Sequence, residues 1–456
     1  MMKDKTTEIF ENAPIPKAVF VNILPSIISM LMVLIYNLAD TFFIAKTNDP
    51  LMVAAVSQAT PAFLFFMAVG MLFGVGGTSL ISRLLGQGRK KEAGNACSFC
   101  FWTGGIVGVA GMLVMLLARE PLAWMIGATE ETVELVKQYL TFVSFGVPFL
   151  VIGNSFSNII RAEGKASKAM FGMILGNIVN IVLDPLMILV LGWDVIGAAV
   201  ATVVGQVVAA GFYILHFVSG KSNLTISPKA YRAGNKIATG VMAIGIPASL
   251  NSVLMSTSNI LINIQMKPHG NLAVAGLGVA MKVNMVAVML LIGVGTGIQP
   301  LLGYNFGSGN RRRFKGILRF SIIFALCLSV VMTVICYLGA GPMVSAFLDD
   351  PAFYEYGMSF ARMLILSGPI LGILFVMINA IQSMGAALPS LILSISRQGL
   401  VYIPVLFLFN AVFGTAEMLV MAQPVTDYIA TTLSVVLFIV AFRKYFGEKE
   451  RKGQES

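Results

Sequence analysis

Three carboxylates, Asp40, Asp184 and Asp427, fall inside long apolar runs of the chain. Ionisable groups are expensive in hydrocarbon, so those kept there point to ion or proton pathways. Asp40 follows Tyr36 by one helical turn, which puts both on one face. Asn177, Asn180 and Asp184 are spaced three and four apart, so a helix aims all three the same way, and Thr202 and Gln206 share a face in the next run. A carboxylate pair in an apolar, partly wet pocket takes up a proton or a small cation rather than standing bare. Asn and Thr oxygens add the neutral hard ligands that a sodium ion needs. Asp40, Asn180, Asp184 and Thr202 are therefore the candidate ion-coupling set, for H+ or Na+. The competing reading is that Asn180, Asp184 and Thr202 only bond helix to helix.

A second group of polar residues is expected to line a water-accessible substrate cleft. It comprises Tyr36, Tyr139, Asn154, Gln206, Ser256, Asn259, Lys282, Gln382, Arg397 and Asp427. Ser252, Ser256, Asn259 and Asn263 make one polar face, and Lys282 lies about ten residues into its run, where a bare ammonium is costly. Asp427 has two readings: it binds a cationic substrate, or it neutralises Arg397. The 27 Met and 31 Phe suit a site for bulky cationic or amphipathic molecules, since Met adapts its shape and aromatic faces attract cations. Any bundle of this size is rich in both residues, so packing explains them equally well.

The elements that must hold these residues are membrane helices. With 57% hydrophobic and 11% charged residues, most of the chain cannot face water. Twelve apolar runs, each near the ~20 residues that cross a bilayer, fall at about 17–46, 51–82, 93–117, 134–161, 168–192, 195–219, 237–266, 272–302, 316–338, 354–383, 389–412 and 416–443. Several exceed that length, which predicts tilted or kinked spans. Prolines 25, 61, 148, 247, 300, 369 and 404 are placed to bend them. Gly70 with Gly74, Gly104 with Gly108, and Gly172 with Gly176 are spaced for close helix approach.

Basic clusters mark alternate connections: Lys3, Lys5 and Lys17; Arg83, Arg89, Lys90 and Lys91; Arg161, Lys165 and Lys168; Lys221, Lys229, Arg232 and Lys236; Arg311 to Arg313, Lys315 and Arg319; and Arg443, Lys444, Lys449, Arg451 and Lys452. The opposite connections carry only Lys46, Arg119, Lys137 and Lys267, and they hold acids such as Asp49, Glu130, Glu131, Asp349 and Asp350. The positive-inside rule then puts both termini in the cytoplasm and accounts for the net charge of +10 without nucleic acid. The polar, mixed-charge N-terminus shows no cleavable signal, so the first span is expected to direct insertion. Cys97 and Cys100 form a C-x-x-C without a second pair or a nearby histidine, which favours apolar packing over metal or redox chemistry.

The chain also repeats itself. Gly74, Gly76, Gly86 and Gly88 recur at Gly295, Gly297, Gly307 and Gly309, a shift of 295 − 74 = 221, and the same shift carries Gly164 to Gly385 and Ala201 to Ala422. Six spans per copy, an even number, make the halves parallel repeats around a central cleft. The expected division is an N-terminal lobe at 1–219, a linker at 220–236 with little chemistry of its own, a C-terminal lobe at 237–445 and a tail at 446–456. Adding 221 to Asp40 and Asn180 reaches Leu261 and Val401, so the polar set belongs to the first half alone.

The segment Gly297-Ile298-Gln299-Pro300-Leu301-Leu302-Gly303-Tyr304-Asn305-Phe306-Gly307, followed by Arg311 to Arg313, resembles the G-x-Q-P-x-x-G-y-N-f-G element of the multidrug and toxic compound extrusion family. Ile81-Ser82-Arg83-Leu84-Leu85-Gly86, Arg161-Ala162-Glu163-Gly164 and Asn180-x-x-Leu183-Asp184-Pro185 fit as well, and the similarity covers nearly the whole chain. The resemblance implies an all-α exporter of two six-helix lobes that alternates between outward-open and inward-open states, driven by H+ or Na+. For prokaryotic members it implies an ion site on the first, fifth and sixth spans, matched here by Asp40, Asn180, Asp184 and Thr202. A glutamate on the seventh span, used by another subgroup, is missing.

The function expected is a monomeric antiporter in a bacterial or archaeal plasma membrane, exporting small organic cations or drugs, with no cofactor beyond the coupling ion. The alternative is a flippase for lipid or lipid-linked oligosaccharide. An anionic lipid would call for several basic residues in the cavity, and only Lys282 and Arg397 offer that. An enzyme would need a nucleophile or metal cluster within the spans, whereas His216 and His269 sit near membrane ends without a ligand set.

Overall fold

The computed structural model describes residues 5–47, 49–220, 222–234, 236–345 and 351–454. Lys3, Lys221, Asp349 and Asp350 lie outside the described residues, as do the side chains of Lys5, Lys449, Arg451 and Lys452. A backbone crossing hydrocarbon must bond its own N–H and C=O groups, and every apolar run is accordingly helical. After a short helix at Lys5–Glu11, the spans are α1 (Ile15–Ala45), α2 (Pro50–Gly86), α3 (Lys90–Leu117), α4 (Val133–Ser144 with Val147–Ala162), α5 (Ala166–Pro185 with Leu186–Val190) and α6 (Asp194–Val218). The second six are α7 (Ile237–Met266), α8 (Asn271–Gly307), α9 (Arg311–Leu338), α10 (Pro351–Ile365 with Gly368–Ser383), α11 (Ala387–Ile395 through Tyr402–Phe413) and α12 (Ala416–Gln454). Ten of these are long and apolar enough to cross a membrane unbroken, and the two bent pairs complete twelve.

The repeat governs the bends. α4 turns by 54° and α10 by 50°, at Gly146-Val147-Pro148 and Ser367-Gly368-Pro369, which are 369 − 148 = 221 residues apart. Each proline removes one helical N–H and opens the ladder there. The same shift relates Gly88 (φ 75°) to Gly309 (φ 78°) and Gly164 (φ 80°) to Gly385 (φ 71°), four turns whose left-handed backbone glycine adopts without strain. The π-helical turns break the symmetry. One follows Asp184 at Leu186–Val190, the other holds Arg397 at Ser396–Leu400, and 186 + 221 = 407 does not coincide with 396.

The chain forms two compact units, one built on Leu31–Ser249 and the other on Glu8–Met30 and the chain from Leu250 onward. The boundaries between these units fall within α1 and α7. In the first unit the core includes Phe73, Phe99, Phe156 and Tyr213, and Cys97 and Cys100 are free thiols packed within it. In the second unit Tyr304 donates to Glu11 Oε1 at 2.7 Å, Asn305 Nδ2 donates to the Phe10 carbonyl at 3.3 Å, and the Arg313 guanidinium binds the carbonyls of Ile9, Phe10 and Ala13 at 2.7–3.1 Å. The repeated element after α8 thus docks the N-terminal segment. α12 continues past residue 445 because Phe446, 2% exposed, packs its ring 4.9 Å from Phe306 and 5.3 Å from Phe314.

The linker proves to be anchored. Ser98 and Trp102 donate to the carbonyls of Ser227 and Ile226, at 2.8 and 3.0 Å. Glu163, 1% exposed, accepts from Lys165 at 2.6 Å, the Asn223 amide at 2.6 Å, Ser222 at 3.0 Å and His216 Nε2 at 3.3 Å. Burial pushes its carboxyl up, but these donors outweigh burial and hold it below the ordinary carboxylate value. A group with a depressed folded-state pKa stabilises the fold above its unfolded value and loses that contribution as pH falls through the folded one. Thermal unfolding of wild type and Glu163→Gln from pH 7 down to pH about 3 is expected to show wild type more stable at neutral pH, with the gap closing on acidification below the ordinary glutamate range. A gap independent of pH would exclude this role for the carboxylate charge.

Candidate functional site

The polar side chains of the first unit meet on the facing surfaces of α5 and α6. Glycine lets these helices touch. A Cβ on Gly176 would lie 2.7 Å from the Gly205 carbonyl oxygen and 2.8 Å from Ala209 Cβ, and one on Gly205 would lie 2.8 Å from the Gly176 carbonyl oxygen and 3.0 Å from Asn180 Cβ. This contact sets Asn180 of α5 against α6 at a spacing no larger residue permits. Thr202, Gln206, Ala209 and Tyr213 repeat at i, i+4, i+7 and i+11 along α6 and share one face.

A cavity of about 90 Å³ opens on that face, lined by Tyr36, Asn154, Asn180, Thr202 and Gln206 among the residues expected from sequence. Asn37, Met173, Asn177 and Tyr213 complete much of the wall. Asp184 is fully buried beside it, and Asn180 Nδ2 donates to its Oδ1 at 3.4 Å. Asp184 Oδ2 and Asn180 Oδ1 are buried with no hydrogen-bond partner among the described residues. Asp40 does not line the cavity, but it lies within electrostatic reach of Asp184, and both carboxylates act on Tyr36 and Tyr139. The structure thus gathers Asp40, Asn180, Asp184, Thr202, Tyr36 and Tyr139 in one neighbourhood, with Asn154 and Gln206 on the cavity wall. Buried oxygens without a protein partner favour a proton or a cation beside them.

The remaining expected cleft residues belong to the second unit. There Asp427, 2% exposed, accepts from Arg397 Nε at 3.2 Å, Gln423 Nε2 at 3.1 Å and Ser367 Oγ at 3.0 Å, while the Arg397 guanidinium sits 5.1 Å over the Phe375 ring. Of the two readings for Asp427, the geometry supplies neutralisation of Arg397. Ser256 donates back to the Ser252 carbonyl at 3.2 Å, Asn259 accepts from Asn263 through its carbonyl at 2.7 Å, Lys282 is half-buried and Gln382 is buried.

Sequence reasoning missed Asn158 and the depth of Arg161. With Asn154 they repeat at i, i+4 and i+7 on α4, and that spacing is the signal that could have found them. Arg161, 2% exposed, donates Nη1 to Asn158 Oδ1 at 3.0 Å, and its Nε and Nη2 have no hydrogen-bond partner among the described residues. Tyr213 was likewise missed because its phenol reads as ordinary packing; its hydroxyl donates to the Ala169 carbonyl at 2.8 Å.

The chain is similar to known proteins over most of its length. The MatE family profile matches residues 25–186 and 247–408, two stretches offset by 247 − 25 = 222 residues. Multidrug export protein MepA of Staphylococcus aureus (strain NCTC 8325 / PS 47) is 32% identical over 418 residues, covering 91% of each chain. A crystal structure of MATE in complex with MaL6 superposes with a TM-score of 0.92 at 25% identity, covering 98% of this chain and all of that one. An outward-facing multidrug resistance MATE family transporter of the MOP superfamily gives 0.91 at 25% identity, covering 99% of this chain and all of that one.

The α5–α6 contact makes a direct prediction. Gly205→Ala is expected to push the helices apart, cost about 1–3 kcal/mol of stability and reduce transport. Gly211→Ala on the same helix, where an added Cβ meets nothing within 4 Å, should match wild type in melting temperature and transport.

Proposed function

Because this chain belongs to the MatE family, the multidrug and toxic compound extrusion transporters, we propose that it is a multidrug efflux antiporter exporting cationic or amphipathic organic compounds in exchange for H+ or Na+. The observation that carries this reading is the pair of buried, unpartnered oxygens, Asp184 Oδ2 and Asn180 Oδ1, beside the first-unit cavity. A cation or proton there satisfies them, and Asp40 supplies a second negative charge within reach. Thr202 and Tyr36 on the cavity wall add oxygens to the set. Asp184 and Asn180 hold the coupling ion, and the polar and apolar walls of the cavity, including Asn154, Gln206 and Met173, take the organic substrate. Ion and substrate then bias one conformational equilibrium through their different affinities for its two states.

The relatives named for multidrug export support the substrate class. A flippase for anionic lipid loses one of its two basic residues, since Arg397 is bound to Asp427. The proposed setting is the plasma membrane, with both termini cytoplasmic by the distribution of basic residues.

Ethidium efflux from proteoliposomes under a pH gradient or a sodium gradient tests this reading. Wild type is expected to follow one gradient. Asp184→Asn and Asp40→Asn should each fall to below about a tenth of that rate with folding retained, because Asn keeps the shape and removes the charge. Wild-type rates in both variants would overturn the ion site, and efflux indifferent to either gradient would overturn antiport.

A further inference from the structure

We propose that a groove between α9 and α12, in the second unit, binds an anionic phospholipid of the cytoplasmic leaflet; the leaflet rests on the orientation proposed above. The groove encloses about 260 Å³. It is lined by Arg311 and Lys315 from the start of α9 and by Arg443 of α12, and no carboxylate lines it among the described residues. The Arg311 guanidinium lies 5.4 Å and the Lys315 ammonium 5.5 Å from the centre of the same Phe442 ring.

The two helices run antiparallel, yet their chemistry changes in the same direction. On α9 the groove face passes from Arg311 and Lys315 to Leu318; on α12, read backwards, it passes from Arg443 to Ile439 and Phe438. Cations therefore stand at the end of the spans and apolar side chains follow toward their middle, which is the profile of a phospholipid with its phosphate at the interface and its chains along the helices. Phe442 is 8% exposed and is fixed by ring contacts to Phe314 at 5.8 Å and Phe446 at 4.6 Å, so the floor under the two cations is rigid. Lys315 and Arg443 add positive charge beside this ring, which favours an anionic over a neutral head group. None of these residues belongs to the ion site, and transport does not explain them. A soluble polyanion would match the cations but not the apolar half of the groove.

Native mass spectrometry of the full-length protein, titrated with phosphatidylglycerol or phosphatidylcholine, tests the site. Wild type is expected to retain phosphatidylglycerol in preference to phosphatidylcholine. The Lys315→Gln/Arg443→Gln variant should bind phosphatidylglycerol roughly 25-fold more weakly, at about fivefold per cation removed, while Lys315→Arg/Arg443→Lys should keep wild-type affinity. Undiminished phosphatidylglycerol binding in the glutamine variant would overturn the proposal. So would equal retention of phosphatidylcholine, or displacement of phosphatidylglycerol by inositol hexakisphosphate. Labelling of Ser308→Cys by an impermeant maleimide from outside intact cells would overturn the orientation and hence the leaflet, while the lipid titration would still decide the site.

Discussion

A buried carboxylate in an apolar bundle must be neutralised, and the two halves of this protein meet that constraint differently. In the second unit Asp427 is answered from within by Arg397, Gln423 and Ser367. In the first unit Asp184 receives one long hydrogen bond and keeps its other oxygen bare. The first arrangement is complete as it stands. The second leaves an oxygen open to a proton or a cation, which is why the ion coupling we propose is placed in that half.

The surrounding framework is shared even though the polar centres are not. The proline bends of α4 and α10 and the glycine turns at 88, 164, 309 and 385 obey the repeat. The π-helical turns near Asp184 and Arg397 do not. Local backbone departures of this kind cluster at functional positions because they re-aim side chains without dismantling the helix. Duplication thus preserved the scaffold while the chemistry placed on it diverged.

Outside the apolar interior, buried hydrogen bonds tie the connecting segments to the spans. Glu163 gathers donors from its own loop, from α6 and from the linker, and Arg313 gathers carbonyls from the N-terminal segment. Charged partners form stronger hydrogen bonds than neutral ones, so a few such residues suffice to fix polar chain that has little apolar surface to bury. The basic groove of α9 and α12 extends the same economy to the membrane: charge at the interface, hydrocarbon below.

The sequence by itself determined the class of fold, the twelve spans, the repeat and the first-half location of the polar set, because hydropathy, spacing and intramembrane charge are local properties of the chain. It also brought out Asn177, Asn180 and Asp184 as one helical face. Only the tertiary structure decided which face meets which. That Gly176 and Gly205 let α5 and α6 touch, that Arg397 pairs with Asp427, and that Arg161 and Glu163 are buried all depend on contacts between residues distant in sequence. The linker read as inert because its bonds are mostly from backbone groups, which every residue carries and no composition reveals.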